Sequence, residues 1–199
     1  MVAKVIDVAK ARTAGDLRDV VHRAVQALSE GKVVGFPTET VYGLAASALD
    51  GEAVERLSQA KGRAADNPYT LAVKSLGDAL DYVPQMSPLA QRLARRCWPG
   101  PLTLLLEVDR ANSLVARLPE VVQQRVCPNG TLGLRVPASP LVIDALRLMT
   151  GPLALTSANQ SGSSDPVTSE EVLEQVGENI ELVLDDGRCQ FGQSSTVAL

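Results

Sequence analysis

The segment Phe36-Pro37-Thr38-Glu39-Thr40-Val41-Tyr42-Gly43-Leu44 sets two threonines, a tyrosine and a carboxylate between a proline and a glycine. That is more donor and acceptor capacity than a plain turn uses. On an extended backbone Thr38, Thr40 and Tyr42 would alternate onto one side and Glu39 onto the other. Pro37 would stiffen the exit from a preceding strand, and Gly43 would permit a bend.

Four further segments carry chemistry of the same kind. Lys61-Gly62-Arg63 with Asn67 puts two cations at a helix end and an amide on the next loop, although cations there also stabilise the helix dipole. Thr131 and Arg135 lie four apart on a strand and so share a face, where Arg135 either grips a carboxylate or phosphate or covers the surface. Thr156-Ser157-Ala158-Asn159-Gln160-Ser161-Gly162-Ser163-Ser164 follows an apolar strand; it is either an anion-binding loop or a solvated one. Ser194-Ser195-Thr196 precedes the last apolar residues and means little alone. Together the segments put hydroxyls and cations at strand ends, where open α/β sheets gather ligands.

The sequence has no Gly-x-Ser-x-Gly elbow, no Walker loop and no His/Cys cluster. His22, the single histidine, falls near the edge of a helical apolar stripe and reads as a surface or boundary residue. A site of cations, hydroxyls and amides without a nucleophile or resident metal suits a reaction in which substrates attack one another. Nucleotidyl transfer is of that type, with phosphates held, Mg²⁺ brought by the nucleotide, and Lys/Arg stabilising charge at phosphorus.

The elements that must position these groups follow from periodicity. Leu17, Val21, Ala24, Val25 and Leu28 behind Asp16 predict a helix stopped by Gly31, and residues 32–36 a strand into the first loop. Residues 51–63 predict a helix, 69–73 a strand, 76–82 and 88–97 helices, and 102–108 a buried strand after the rigid Trp98-Pro99-Gly100-Pro101 corner. Strands at 131–136 and 152–155, helices at 139–149 and 169–176, a strand at 182–184 and an apolar piece at 196–199 complete the pattern. Alternation of strands and helices predicts an α/β sheet with helices packed on it, with antiparallel pairs where connections are short.

The 199 residues suit a single domain, residues 1–199, and the 45% apolar and 21% charged composition is that of a globular protein. A net charge of −4 and 3% aromatics argue against a dedicated nucleic-acid binder. Without a leader-like start or an apolar run of about 18 residues, no membrane association is expected and the cytoplasm is. Cys97, Cys127 and Cys189 read as reduced structural thiols.

The opening segment, Lys61-Gly62-Arg63 with Asp66-Asn67-Pro68, Trp98-Pro99-Gly100-Pro101-Leu102-Thr103, Leu134-Arg135-Val136-Pro137, Thr156-Ser157-Ala158-Asn159 with Ser161-Gly162, and Ser195-Thr196-Val197 occur in one order over roughly residues 20–199. In that order they resemble the YrdC-like threonylcarbamoyl-AMP synthase family. The resemblance implies a twisted mixed sheet with flanking helices around a concave, cation-lined cavity. It implies a nucleotidyltransferase that condenses L-threonine, bicarbonate and ATP, with Mg²⁺ carried by ATP and no tightly bound organic cofactor. The product, threonylcarbamoyl-AMP, would serve modification of adenosine 37 in tRNA through a separate threonylcarbamoyl transferase.

By motif position, Thr40 and Arg135 would hold threonine with Ser195 nearby, Leu155 contributing backbone, and Thr38 and Tyr42 belonging to the same end. Arg63, Asn67, Thr131, Ser157 and Asn159 would contact ATP, Lys61 would add charge beside the phosphates, and Lys61 and Arg63 would be catalytic. Departures from the pattern are Ala64 where many members have proline, Ala72 where some have histidine, and Asp165 where some have serine. Asp165 would repel a triphosphate unless it faces away or helps hold Mg²⁺. The family usually continues past Ser-Thr-Val to an arginine that touches ATP, whereas this sequence ends at Leu199. The competing expectations are a non-enzymatic double-stranded RNA or tRNA-binding module and a related carbamoyl-transfer enzyme.

Overall fold

The computed structural model describes residues 3–62 and 68–199. These form a nine-stranded mixed sheet in the order β1-β8-β2-β3-β7-β4-β6-β5-β9. The strands are β1 (Lys4–Asp7), β2 (Val34–Phe36), β3 (Gly43–Ser47), β4 (Thr70–Ala72), β5 (Leu102–Glu107), β6 (Thr131–Arg135), β7 (Leu153–Ser157), β8 (Leu182–Asp185) and β9 (Thr196–Ala198). The central pairs β2/β3, β3/β7 and β4/β7 are antiparallel, and β4 runs parallel to β6. The helices are α1 (Ala14–Ser29), α2 (Gly51–Lys61), α3 (Leu76–Tyr82), α4 (Pro88–Cys97), α5 (Glu120–Val126), α6 (Pro140–Leu148) and α7 (Ser169–Val176).

Strand alternation divides the apolar side chains into two layers. On one face Leu44, Leu71, Leu104, Leu134 and Ala154 pack under Val54 and Leu57 of α2, Ala90 and Ala94 of α4, Val122 of α5 and Val172 of α7. On the other, Val34, Phe36, Ala45, Leu153, Leu182 and Leu184 pack under Val21, Ala24 and Leu28 of α1 and Val142 and Ala145 of α6. Among the described residues α1 and α6 are the α-helices that cover the second face, and its far end stays open.

Local signals set the helix ends. Thr13 and Asp16 form a capping box at the start of α1, and Asp50 accepts the Glu52 and Ala53 N–H groups at the start of α2. Gly62 ends α2 with φ 59°, a left-handed turn that costs glycine little.

Two strands and one helix lie where the sequence predicts none. The buried strand β3 (GLAAS) lacks the β-branched residues that mark strands, and β1 is a short edge strand. Helix α5 (EVVQQRV) is rich in β-branched residues, and its N-cap residue is Pro119, without a side-chain cap. Among the described residues no helix is long and apolar enough to cross a membrane.

Candidate functional site

The open end of the second face is a cavity of about 360 Å³. Its floor comes from cross-strand neighbours: Thr103 and Leu105 of β5, Arg135 of β6, Thr70 of β4, and Leu155 and Ser157 of β7. Thr70 lies opposite Gly133 and Leu155, and Leu105 opposite Gly133, so these positions share one side of the sheet. The loop between β2 and β3 supplies one wall through Thr38 and Thr40, and Ser194, Ser195 and Val197 supply the other.

The β2–β3 loop is bent at residues 39–41 rather than extended, and Thr38 causes the bend. Its hydroxyl accepts the Thr40 and Val41 N–H groups at 3.1 and 3.3 Å and donates to the Val41 carbonyl at 2.6 Å. A hydroxyl that captures its own backbone in this way replaces the strand ladder by a turn. The backbone is therefore not extended as predicted, although Thr38, Thr40 and Tyr42 all border the cavity and Glu39 is not part of its lining. Glu39 and Thr40 turn to the same partner: Arg135 Nη2 donates to Glu39 Oε1 at 2.7 Å and to Thr40 Oγ1 at 2.9 Å. Tyr42 turns into the core and donates its hydroxyl to the Gly187 carbonyl at 2.8 Å. Burial, followed by the Asp185 charge, pushes the Tyr42 phenol well above its ordinary pKa.

Proton counting fixes the direction of this network. Thr38 has one hydroxyl hydrogen and the Val41 carbonyl can only accept, so with that hydrogen on the carbonyl Thr40 is the donor in the 2.7 Å contact between the two threonine hydroxyls, the longer Val41 N–H contact sharing a lone pair of Thr38. Thr40 Oγ1 thus spends its hydrogen on Thr38, accepts from Arg135, and keeps an acceptor lone pair. Glu39 Oε2 accepts the Ala138 N–H at 3.0 Å, and the Glu39 and Thr40 carbonyls are pinned by the Phe191 and Gly192 N–H groups at 2.9 and 3.0 Å. Arg135 Nε is buried and has no hydrogen-bond partner among the described residues.

At the other end stands Lys61, buried at the C-terminus of α2. Its ammonium donates to the Ser157 carbonyl at 2.7 Å, to Ser157 Oγ at 3.0 Å, and to Asn159 Oδ1. Ser157 passes its own hydrogen to Asn159 Oδ1 at 2.7 Å, and Asn159 Nδ2 donates to the Ser163 carbonyl at 2.6 Å. The Ser161 N–H closes back onto the Lys61 carbonyl at 3.0 Å. Lys61 therefore organises residues 157–163, and Ser157 offers the cavity an acceptor.

Of the remaining expected residues, Ser195 lines the wall, with its Oγ 2.8 Å from Thr103 Oγ1. Asp165 accepts the Ser194 hydroxyl at the rim. Leu155 lines the cavity from β7, where it stands between Ala45 and Thr70 in the sheet. Thr131 shares the face of Arg135 but sits at the start of β6, paired with Glu107 and outside the wall. Arg63 and Asn67 lie outside the described residues. Gly43 does not serve a bend: it opens β3, and a Cβ there would sit 2.9 Å from Leu155 Cδ1 and 3.2 Å from the Thr156 carbonyl. The described wall carries its charge on Arg135, with Lys61 standing behind Ser157.

Sequence reasoning missed Glu39 as the partner of Arg135, and Thr70 and Thr103 as floor residues. A carboxylate flanked by threonines after an apolar strand was itself a signal for a buried cation. His22 is exposed on α1, and burial raises the Cys189 thiol above its ordinary pKa. The described residues contain no group of three or more His, Cys, Asp or Glu that could hold a metal.

The Sua5/YciO/YrdC family model, described as "Telomere recombination", matches residues 26–198. The chain belongs to this family. It is 41% identical over 172 residues to the threonylcarbamoyl-AMP synthase of Pyrococcus abyssi, covering 85% of this chain and 47% of that protein. It is 38% identical over 174 residues to a putative threonylcarbamoyl-AMP synthase of Mycobacterium tuberculosis, covering 87% and 76% of the two chains. The solved structure of P. abyssi Sua5 complexed with L-threonine superimposes with a TM-score of 0.82 at 35% identity, over 98% of this chain and 54% of that one. The chain spans about half the length of the first curated relatives it matches, 47% and 48%.

Proposed function

We infer that this Sua5/YciO/YrdC-family chain forms threonylcarbamoyl-AMP and pyrophosphate from L-threonine, bicarbonate and ATP. The observation that carries this reading is the cavity wall: a buried guanidinium with an unpartnered Nε beside a row of hydroxyls. Such a wall orients a small carboxylate ligand and supplies no nucleophile of its own. The threonine-bound relative of the same fold adds to it.

In this reading Arg135 takes the threonine carboxylate and the Thr40 lone pair faces the amine, with Ser195 closing the far side. The neutral amine adds to CO₂ with loss of a proton to solvent, or to bicarbonate with loss of water, and an oxygen of the resulting carbamate attacks the α-phosphorus as pyrophosphate leaves. ATP would lie toward the Lys61 end beside Ser157 and Asn159, Arg63 and Asn67 being ATP contacts on the family resemblance alone, and a contact from Thr131 would require the nucleotide to extend past the wall. Because three donor contacts of Lys61 go to Ser157 and Asn159, Lys61 would act by its field and by holding residue 157 in place. Mg²⁺ would enter on the ATP phosphates, with Asp165 as the candidate carboxylate near the rim. The product would pass to a separate transferase for modification of adenosine 37 in tRNA.

The test is threonylcarbamoyl-AMP and pyrophosphate formation with each substrate omitted in turn. Product is expected only when threonine, bicarbonate and ATP are all present; product without bicarbonate would sink the reading. Binding of duplex RNA or tRNA without threonine-dependent turnover would favour the binding-module alternative.

A further inference from the structure

Arg135 and Glu39 are the closest ion pair among the described residues and the most buried, with side chains 8% and 7% exposed. Glu39 is not itself a lining residue; paired with Arg135, which is, it cancels the charge of the guanidinium and acts on a ligand there through its field. The remaining donors of the guanidinium can take a carboxylate, yet a second carboxylate, that of Glu39, already lies 2.7 Å from Nη2. A ligand that is only an anion would feel both. The neighbouring Thr40 hydroxyl adds a second discrimination, because Thr38 holds its hydrogen and leaves only an acceptor to the ligand. An ammonium satisfies that acceptor and is attracted by Glu39; a ligand lacking the amine does neither.

We propose that Glu39 is a specificity-determining residue, which with the Thr38–Thr40 relay makes the Arg135 end of the cavity selective for a zwitterionic amino acid over the corresponding anionic acid. Glu39 is held for this purpose from two directions. Its Oε2 accepts the Ala138 N–H at 3.0 Å, and its carbonyl accepts the Phe191 N–H at 2.9 Å.

The inference rests on the threonine reading above, and the test separates the two. Binding to the full chain is measured by calorimetry for L-threonine and for 3-hydroxybutyrate, which is threonine without its amine. The wild-type protein is expected to prefer threonine by at least tenfold. In Glu39→Gln that preference falls on the order of tenfold, because the anion gains from the removed charge while threonine loses an attraction, as expected for one charge in a poorly screened site. Thr38→Val frees the Thr40 hydrogen and shifts the preference the same way by less, and Thr38→Ser restores it.

Equal wild-type affinity for threonine and 3-hydroxybutyrate would overturn the proposal even if no variant folds. So would an unchanged preference in a folded Glu39→Gln. A purely structural Glu39 would lower the unfolding temperature without moving the ratio, since a buried pair that loses one partner is destabilised whatever binds beside it. Absence of any threonine binding by the wild type would instead fail the functional reading.

Discussion

Along a single strand, β7, the same face of the sheet changes character. Leu153 lies under α1 and α6 in a dry apolar layer, Leu155 stands at the border, and Ser157 opens onto the cavity. The covered half uses leucine, valine, phenylalanine and alanine against helices; the open half uses Thr70, Thr103, Arg135 and Ser157 against ligand space. The side-chain period is identical in both halves. What differs is whether a helix lies above the strand, so the cavity is built by leaving a finished sheet face uncovered.

That division predicts separable losses, and the largest belongs to the covered half. Leu184 of β8 is fully buried in the layer under α1. Leu184→Ala should cost about 2–5 kcal/mol of stability by transfer and cavity terms. Denaturant unfolding would show it as a lowered midpoint, while pyrophosphate release per folded molecule in the proposed reaction stays unchanged. A specific loss of threonine affinity in Leu184→Ala would mean that the two halves are coupled and that the division is false.

The covered half was far more legible in the sequence than the open one. Apolar spacing from Leu17 to Leu28 announced α1, and the capped α2 and the leucine-rich β5 followed the same logic. Strand β3 was invisible because Gly43, Leu44, Ala45, Ala46 and Ser47 are chosen for fit between neighbouring strands, not for strand propensity. In the open half, the residues that sit at strand ends were recognisable as chemistry, and their order along the chain pointed to the family. Their directions were not recognisable. The bend made by the Thr38 hydroxyl lets Glu39 and Thr40 reach the same partner, and only a long-range contact to Arg135, 96 positions away, reveals what Glu39 does. Spacing rules describe regular backbone, and this loop is irregular because its side chains bond to its own backbone.

Arg135→Lys keeps a cation but loses the planar donors that reach Glu39 and Thr40 together. The expected loss in kcat/KM for threonine is on the order of 10²-fold, the size found when one preorganised donor is removed. Steady-state kinetics with threonine and ATP varied separately would check this, with KM for ATP nearly unchanged. Retained threonine kinetics in Arg135→Lys would show that positive charge alone serves and that the fork has no role.

The smallest effect belongs to the boundary between the halves and the sheet edge, where β5 carries β9. Thr103 pairs with Val197 in the ladder, and its hydroxyl meets the Ser195 hydroxyl at 2.8 Å, so the cavity wall at Ser195 is fastened to the floor by one side-chain hydrogen bond. Thr103→Val keeps the shape and the backbone pairing and removes only that bond. It should cost about 0.5–1.5 kcal/mol of stability, the net value of one such hydrogen bond. The accompanying rise in KM for threonine should be a few-fold, since Ser195 stays beside the cavity but loses its fixed direction. Thermal unfolding and threonine kinetics on the same preparation separate the two contributions. If stability fell while KM stayed constant, Ser195 would belong to the covered, structural part of the molecule, and the boundary of the site would have to be drawn inside β5.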